Sequence, residues 1–236
     1  MQLENISKSF GEELVLDDIR LRISPSKFTA FIGPNGAGKS TRLLKKDQGF
    51  LSIKGKEIEA WNSRELAKEL TILKQKINYQ SKLTVEELVS FGRFPYSQDH
   101  LTKDDVQKVE QALIYLNILD LRNRFIDTLS GGQLQRVFIA MVLAQDTDFI
   151  LLDEPLNNLD IKQSIAMMKI LRSLVDDLGK TIIIVIHDIN IASQYVDEIV
   201  AFKDGKLFCQ GTTEQIMKKE TLDSLYEMDI TLGEIN

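Results

Sequence analysis

The chain is poor in the groups that crosslink a fold or bind soft metals. Its 236 residues include one cysteine, Cys209, and two histidines, His100 and His187. One thiol excludes an internal disulfide and fits a reducing compartment. With so few soft ligands, the sequence argues against a structural zinc site. Long apolar runs are missing as well: none approaches the ~20 residues a membrane-spanning helix needs. The longest candidate, 182–186, reads as a buried strand. The opening Met1-Gln2-Leu3-Glu4-Asn5 lacks the basic-then-apolar layout of a signal peptide, so a cytosolic chain is expected, able to dock on a membrane protein. Positive charge is also short, with 29 Lys and Arg against 35 Asp and Glu, a net charge of −6. That balance argues against nucleic acid as the main partner, because phosphate backbones demand a basic surface. There is no internal repeat and no low-complexity tract.

What remains is ordinary for a globular protein, at 43% apolar and 27% charged. The length allows one large domain, or a main domain with a subdomain. Runs 2–10, 15–23 and 28–32 read as strands separated by turns. Residues 50–53 and 56–58 read as a hairpin about Gly55. A helix over 64–70 is expected from a cap at Ser63, followed by a strand over 71–74. Thr84-Val85-Glu86-Glu87 is a capping box opening a helix to about Phe91. A second helix is expected from Thr102, with Val106, Val109, Leu113 and Leu116 on one face. The last third alternates helix 134–144, strand 149–153, helix 161–178, strand 181–186 and helix 190–195. Strands 199–202 and 207–210 then pair about Asp204-Gly205, and Thr212 caps a further helix. Near-continuous apolar strands alternating with helices indicate an α/β sheet covered on both faces, with the middle helices inserted at about 76–142.

Gly33-Pro34-Asn35-Gly36-Ala37-Gly38-Lys39-Ser40-Thr41 follows the strand-like run 28–32 and fits the phosphate-cradling loop. Its glycines let backbone N–H groups turn inward on an anion. Lys39 can reach the terminal phosphates, and the Ser40 hydroxyl can take a place on Mg²⁺. The run Phe149-Ile150-Leu151-Leu152-Asp153-Glu154 ends in two carboxylates. Strand alternation is expected to aim Asp153 at the metal and Glu154 at the space where water attacks. Leu129-Ser130-Gly131-Gly132-Gln133 enters a helix and offers a second anion site. A chain with its own phosphate loop has no obvious need of that second site.

Taken together, these segments resemble the ATP-binding subunit of ABC transporters, in that family's order and over nearly the whole chain. The phosphate loop is 33–41, and Gln75 matches the Q-loop glutamine. The signature is 129–133, followed by Gln135-Arg136, and the acidic strand is 149–154. Asn157-Asn158-Leu159-Asp160 matches the D-loop, and His187 the switch histidine. The resemblance implies a P-loop NTPase ABC-ATPase fold, α/β, with an N-terminal antiparallel β subdomain. It implies one domain over 1–236, with 1–75 and 143–236 as core and an inserted α-helical subdomain over 76–142 carrying the signature. It further implies that two copies sandwich two ATP molecules, each phosphate loop facing the other copy's signature.

In that arrangement Phe10 stacks on adenine, and Gly33, Pro34, Asn35, Gly36, Ala37, Gly38, Lys39, Ser40, Thr41 and Gln75 hold the nucleotide. Ser130, Gly131, Gly132 and Gln133 serve the nucleotide of the facing copy, and Asp160 of the D-loop is a further nucleotide-binding residue. Ser40, Gln75 and Asp153 hold Mg²⁺, Glu154 acts on the attacking water, and His187 and Lys39 steady the γ-phosphate. Implied partners are a second ATPase subunit, forming a homodimer, transmembrane permease subunits and, indirectly, an extracytoplasmic substrate-binding protein. The chain is then peripheral, at the cytoplasmic face of the membrane, with no nucleic-acid partner.

A narrower resemblance rests on Phe91-Gly92-Arg93-Phe94-Pro95-Tyr96. It fits the G-R-x-P-Y pattern of ATPases that import iron–siderophore compounds, haem or cobalamin, with iron–siderophore import favoured. A soluble ABC ATPase acting on nucleic acid or ribosomes is the reading from another class, but those proteins usually carry paired cassettes or long insertions. A GTPase is a third reading, disfavoured by motif order: Thr102-Lys103-Asp104-Asp105 precedes Asp176-Asp177-Leu178-Gly179, and the two read better as an N-cap and a glycine C-cap. One departure stands out. Thr41 is followed at once by Arg42-Leu43-Leu44-Lys45-Lys46-Asp47-Gln48-Gly49, so roughly two turns of the usual helix are missing. That shortening predicts weaker anchoring of the loop and weaker ATP binding and hydrolysis.

Overall fold

The computed structural model describes residues 1–10, 13–34, 37, 46–74, 82–97 and 100–231, with only the backbone of Phe10 and Glu13. It divides into two compact units, 1–60 with 181–236, and 61–180. The 76–142 stretch falls within the second.

The first unit opens with β1 (Gln2–Phe10) and β2 (Glu13–Arg22), an antiparallel pair. β4 (Gln48–Ile53) joins the other side of β1, and β5 (Lys56–Glu57) closes a tight hairpin with β4 at Gly55. Leu3, Ile6, Leu16, Ile19 and Leu51 are all buried; Leu3 and Ile6, like Leu16 and Ile19, are three apart rather than two, because the ladder shifts register at the left-handed residues Asn5 and Asp18.

The same unit holds β3 (Phe28–Ile32), flanked in parallel by β8 (Thr181–Val185) and β9 (Glu198–Lys203). β10 (Lys206–Thr212) returns antiparallel to β9. Every residue of β3 and β8 is buried, as the continuous apolar runs require. Phe31 and Phe202 meet edge to face at 5.2 Å between these strands. Two short helices, α8 (Thr213–Ile216) and α9 (Lys219–Tyr226), finish the unit. α9 was not foreseen; its burial rests on only Leu222 and Leu225, too few to show a helical period.

The second unit runs α1 (Ser63–Glu69), β6 (Leu70–Leu73), α2 (Val85–Ser90), α3 (Phe94–Ser97), α4 (Lys103–Tyr115), α5 (Gly131–Ala144), β7 (Phe149–Asp153) and α6 (Ile161–Asp176). β6 and β7 are parallel, with Leu70 opposite Phe149 and Leu73 opposite Leu152. α2 and α5 and α4 and α5 pack through Val89, Leu113, Val137 and Ala140, all fully buried or nearly so. Val106, expected on the inner face of α4, is 39% exposed. The cap of α1 is Asn62, whose side chain accepts from the Glu65 N–H, so Ser63 is the first helical residue rather than the cap.

Candidate functional site

β3 carries the phosphate loop at its C-terminal end. Gly33 sits at φ +137°, and a Cβ there would lie 2.0 Å from the Phe202 carbonyl oxygen of β9, so only glycine fits. The Gly33 backbone also hydrogen-bonds the Tyr226 phenol of α9, whose pKa burial pushes up against that bond. Pro34 and the buried Ala37 close a turn, with the Ala37 N–H donating to the Pro34 carbonyl at 3.3 Å. Asn35, Gly36, Gly38, Lys39, Ser40, Thr41 and Gln75 lie outside the described residues, as does the short stretch from Arg42 to Lys45. Phe10 ends β1, opposite Glu13.

His187 follows the neighbouring strand. The Ile186 N–H donates to Phe31 O at 3.2 Å, so the turn bearing His187 and the phosphate loop leave adjacent parallel strands at the same end. That is where ligands collect on α/β sheets. His187 is exposed, and the next residue, Asp188, caps α7 (Ile189–Tyr195) by accepting from the Asn190 and Ile191 N–H groups at 2.9 and 3.1 Å.

In the second unit β7 ends at Asp153, which is 8% exposed. Strand alternation does not aim Glu154, contrary to expectation. Its φ is +51°, so the backbone has already left the extended conformation. The turn itself sets its direction: the Asn157 side-chain amide donates to Glu154 Oε2 at 2.6 Å, and the Asn157 N–H to the Glu154 carbonyl at 3.2 Å. Asp153 supplies a hard carboxylate oxygen of the type Mg²⁺ takes alongside substrate phosphates, so the residue present fits that ion.

The 129–133 segment lies at the start of a helix, as expected, with Gly131, Gly132 and Gln133 forming its first turn and Ser130 its cap. α5 begins at Gly131, three residues earlier than the apolar period indicated. Ser130 Oγ accepts from the Gln133 N–H at 3.3 Å, and Gln133 Oε1 accepts from the Ser130 N–H at 3.0 Å. Gln133 is therefore committed to a capping box. A helix start has N–H groups without intrahelical partners, and the dipole of a 14-residue helix favours an anion there. The two glycines differ in their surroundings. A Cβ at Gly131 would meet nothing within 4 Å, whereas one at Gly132 would lie 2.8 Å from Gln163 Cδ. Space at Gly131 thus faces outward, while Gly132 is fitted to α6. Asp160, the last of the expected site residues, caps α6 through Oδ1, which accepts from the Gln163 N–H at 2.7 Å. Sequence reading missed Tyr226 and Gln163. Nothing local marks Tyr226, and Gln163 was visible only as a third-position helix residue.

The Gly92-Arg93 pair has an internal explanation. A Cβ at Gly92 would lie 2.3 Å from the Met141 carbonyl. Arg93 is 3% exposed; its Nε donates to Asp105 at 2.8 Å, a terminal nitrogen donates to the Ala144 carbonyl at 2.8 Å, and its guanidinium lies 3.8 Å over the Tyr96 ring. Burial raises the Asp105 pKa, but bonds from Thr102 and Arg93 outweigh it and hold the carboxyl far below its usual range.

Comparison with known proteins gives the class to which these strand ends and helix starts belong. The ABC transporter family model matches residues 16–157. The petrobactin import ATP-binding protein YclP of Bacillus subtilis (strain 168) is 51% identical over 242 positions, covering 100% of this chain and 96% of the relative. The petrobactin import ATP-binding protein FatE of Bacillus anthracis is 42% identical over 238 positions, covering 98% and 95%. Among solved structures, the dimeric form of the cassette MJ0796 superimposes with a TM-score of 0.78 at 29% identity, covering 90% of this chain and 98% of that one. The chain belongs to the ABC transporter family and is an ATP-binding cassette ATPase with the fold expected of one.

Proposed function

We propose that this chain powers import of an iron–siderophore compound through a membrane permease, working at the cytoplasmic face of the membrane as a pair of identical copies. The observation that carries this reading is full-length similarity to YclP, which is named for petrobactin import. The arrangement of the site supports it. Each copy presents a phosphate loop behind Gly33 and a Ser130-capped helix start, and Gly131 leaves room for a γ-phosphate held by the facing copy.

In this mechanism Lys39 and the loop N–H groups hold the phosphates. Ser40, Gln75 and Asp153 would hold Mg²⁺, which when bound would neutralise phosphate charge. Glu154, turned by Asn157, orients the attacking water and takes its proton, and exposed His187 steadies the γ-phosphate. Phe10 stacks on adenine, while Ser130, Gly131, Gly132 and Asp160 complete the site of the facing copy. No described helix is long and apolar enough to cross a membrane, which suits a subunit that docks on a permease. Uptake of labelled ferric petrobactin in a strain deleted for this chain is the test. Uptake restored by the wild type and not by Glu154→Gln supports the reading; uptake unaffected by the deletion overturns it.

A further inference from the structure

We propose that Gln163 is a positioning residue for ATP hydrolysis, setting the signature glycine Gly132 by direct contact. The inference rests on the reading above.

It begins with a difference among the helix starts, since α1 and α6 have a side-chain cap whose third helical residue does not complete the box. α2, α4, α5 and α8 each close a reciprocal capping box, the third helical residue (Glu87, Asp105, Gln133, Gln215) returning its side chain to the cap backbone. α6 has the same layout, with Asp160 as cap and Gln163 in the third position. Asp160 makes its half of the box, accepting from the Gln163 N–H at 2.7 Å. Gln163 does not make the other half. Among the described residues its carboxamide has no hydrogen bond, although four other helices show that the local bond is within reach. The carboxamide lies instead on Gly132, where an added Cβ would sit 2.8 Å from Cδ, 2.9 Å from Oε1 and 3.2 Å from Nε2. Both residues line a cavity of about 250 Å³ with Ser130, Gln133, Arg136 and Leu159. A side chain that forgoes its own cap to lie against a glycine acts through shape.

The contact joins the first turns of α5 and α6, and α6 continues directly from the catalytic turn. Glu154 is bonded to Asn157, the Leu159 N–H donates to Leu156 O at 3.1 Å, and Asp160 bonds Gln163. A shift at Glu154 therefore reaches Gly132 through a short bonded turn and one packed side chain. In a two-copy sandwich, Glu154 serves the nucleotide on its own phosphate loop and 130–133 serve the other. Gln163 then couples the two nucleotides, and its neutral head keeps negative charge away from the γ-phosphate.

The test is ATP turnover against ATP concentration by the chain in complex with its permease, for Gln163→Ala, Gln163→Met and Gln163→Glu. Gln163→Ala should raise KM for ATP about five- to tenfold, the low end of site-to-site coupling, and lower the Hill coefficient towards one. Its melting temperature should stay near that of the wild type. Gln163→Met, which restores the bulk, should recover most of the KM, and Gln163→Glu should be slower than Ala. Gln163→Ala with wild-type KM and Hill coefficient overturns the proposal. So does a parallel fall in kcat and melting temperature with KM unchanged and no rescue by Met. A wild-type complex without turnover overturns the functional reading, and this proposal with it.

Discussion

At the scale of single residues, the most informative positions are those with one available explanation. Gly33 must be glycine because the Phe202 carbonyl occupies the space of its Cβ. Gly33→Ala should therefore cost ATP binding, read by nucleotide titration, since relief requires moving β9. Glu154→Gln keeps the shape and the Asn157 contact but removes the base. Turnover should fall on the order of 10²–10⁴-fold with ATP still bound, and a nucleotide-dependent dimer should appear on size-exclusion chromatography. Unchanged hydrolysis would remove Glu154 from the mechanism. Tyr226→Phe keeps the half-buried ring and loses the bond to the Gly33 backbone, so it should cost about 1 kcal/mol of stability by chemical denaturation. It should also raise KM for ATP, because the first residue of the phosphate loop loses its brace.

Among elements, the Arg93–Asp105 pair ties the turn before α3 to the start of α4 and, through Ala144, to the end of α5. Arg93→Ala leaves a buried carboxylate without its partner and should destabilise the protein by about 3–5 kcal/mol. Replacing both residues with apolar ones of similar volume should cost far less. The pH dependence follows from the depressed Asp105 pKa. Because the folded state binds the proton more weakly than the unfolded state, the pair's contribution is complete above the unfolded value of ~3.9 and lost as pH falls through the folded one. Melting temperature should thus decline below about pH 4, and an Arg93→Met, Asp105→Leu variant should decline less steeply. This internal pairing answers much of what the G-R-x-P-Y pattern raised, since Gly92 and Arg93 serve packing. Phe91 and Phe94 stand 49% and 58% exposed beside them.

Across the whole molecule, catalysis is expected to need two copies and a permease. Specific ATPase activity should rise with protein concentration, as half-sites pair, and become concentration-independent once the permease holds two copies together. Affinity capture from membranes should recover permease subunits, whereas recovery only of ribosomes or DNA would reject the importer reading. The alignment with YclP runs over 242 positions against 236 residues here, so the relative carries residues this chain lacks. The segment after Thr41 is shorter than the family resemblance implies, and on that ground ATP should bind this chain more weakly than YclP in parallel titrations.

The sequence by itself determined the strands and most helix starts, and supplied the motifs on which the proposed site rests, because each depends on residue type at fixed local spacing. Apolar runs set β3, β7 and β8, Thr caps set α2, α4 and α8, and the phosphate-loop and acidic motifs were readable in order. Tertiary structure decided what depends on neighbours distant along the chain. It placed the Phe202 carbonyl against Gly33 and brought Tyr226 of α9 to the same backbone. It turned Glu154 through a left-handed residue instead of continuing the strand. It gave Gly131 open space and Gly132 a packed partner, a distinction that two adjacent identical letters cannot carry. Side-chain type and periodicity are local properties, whereas a close approach between backbones exists only once the chain has folded.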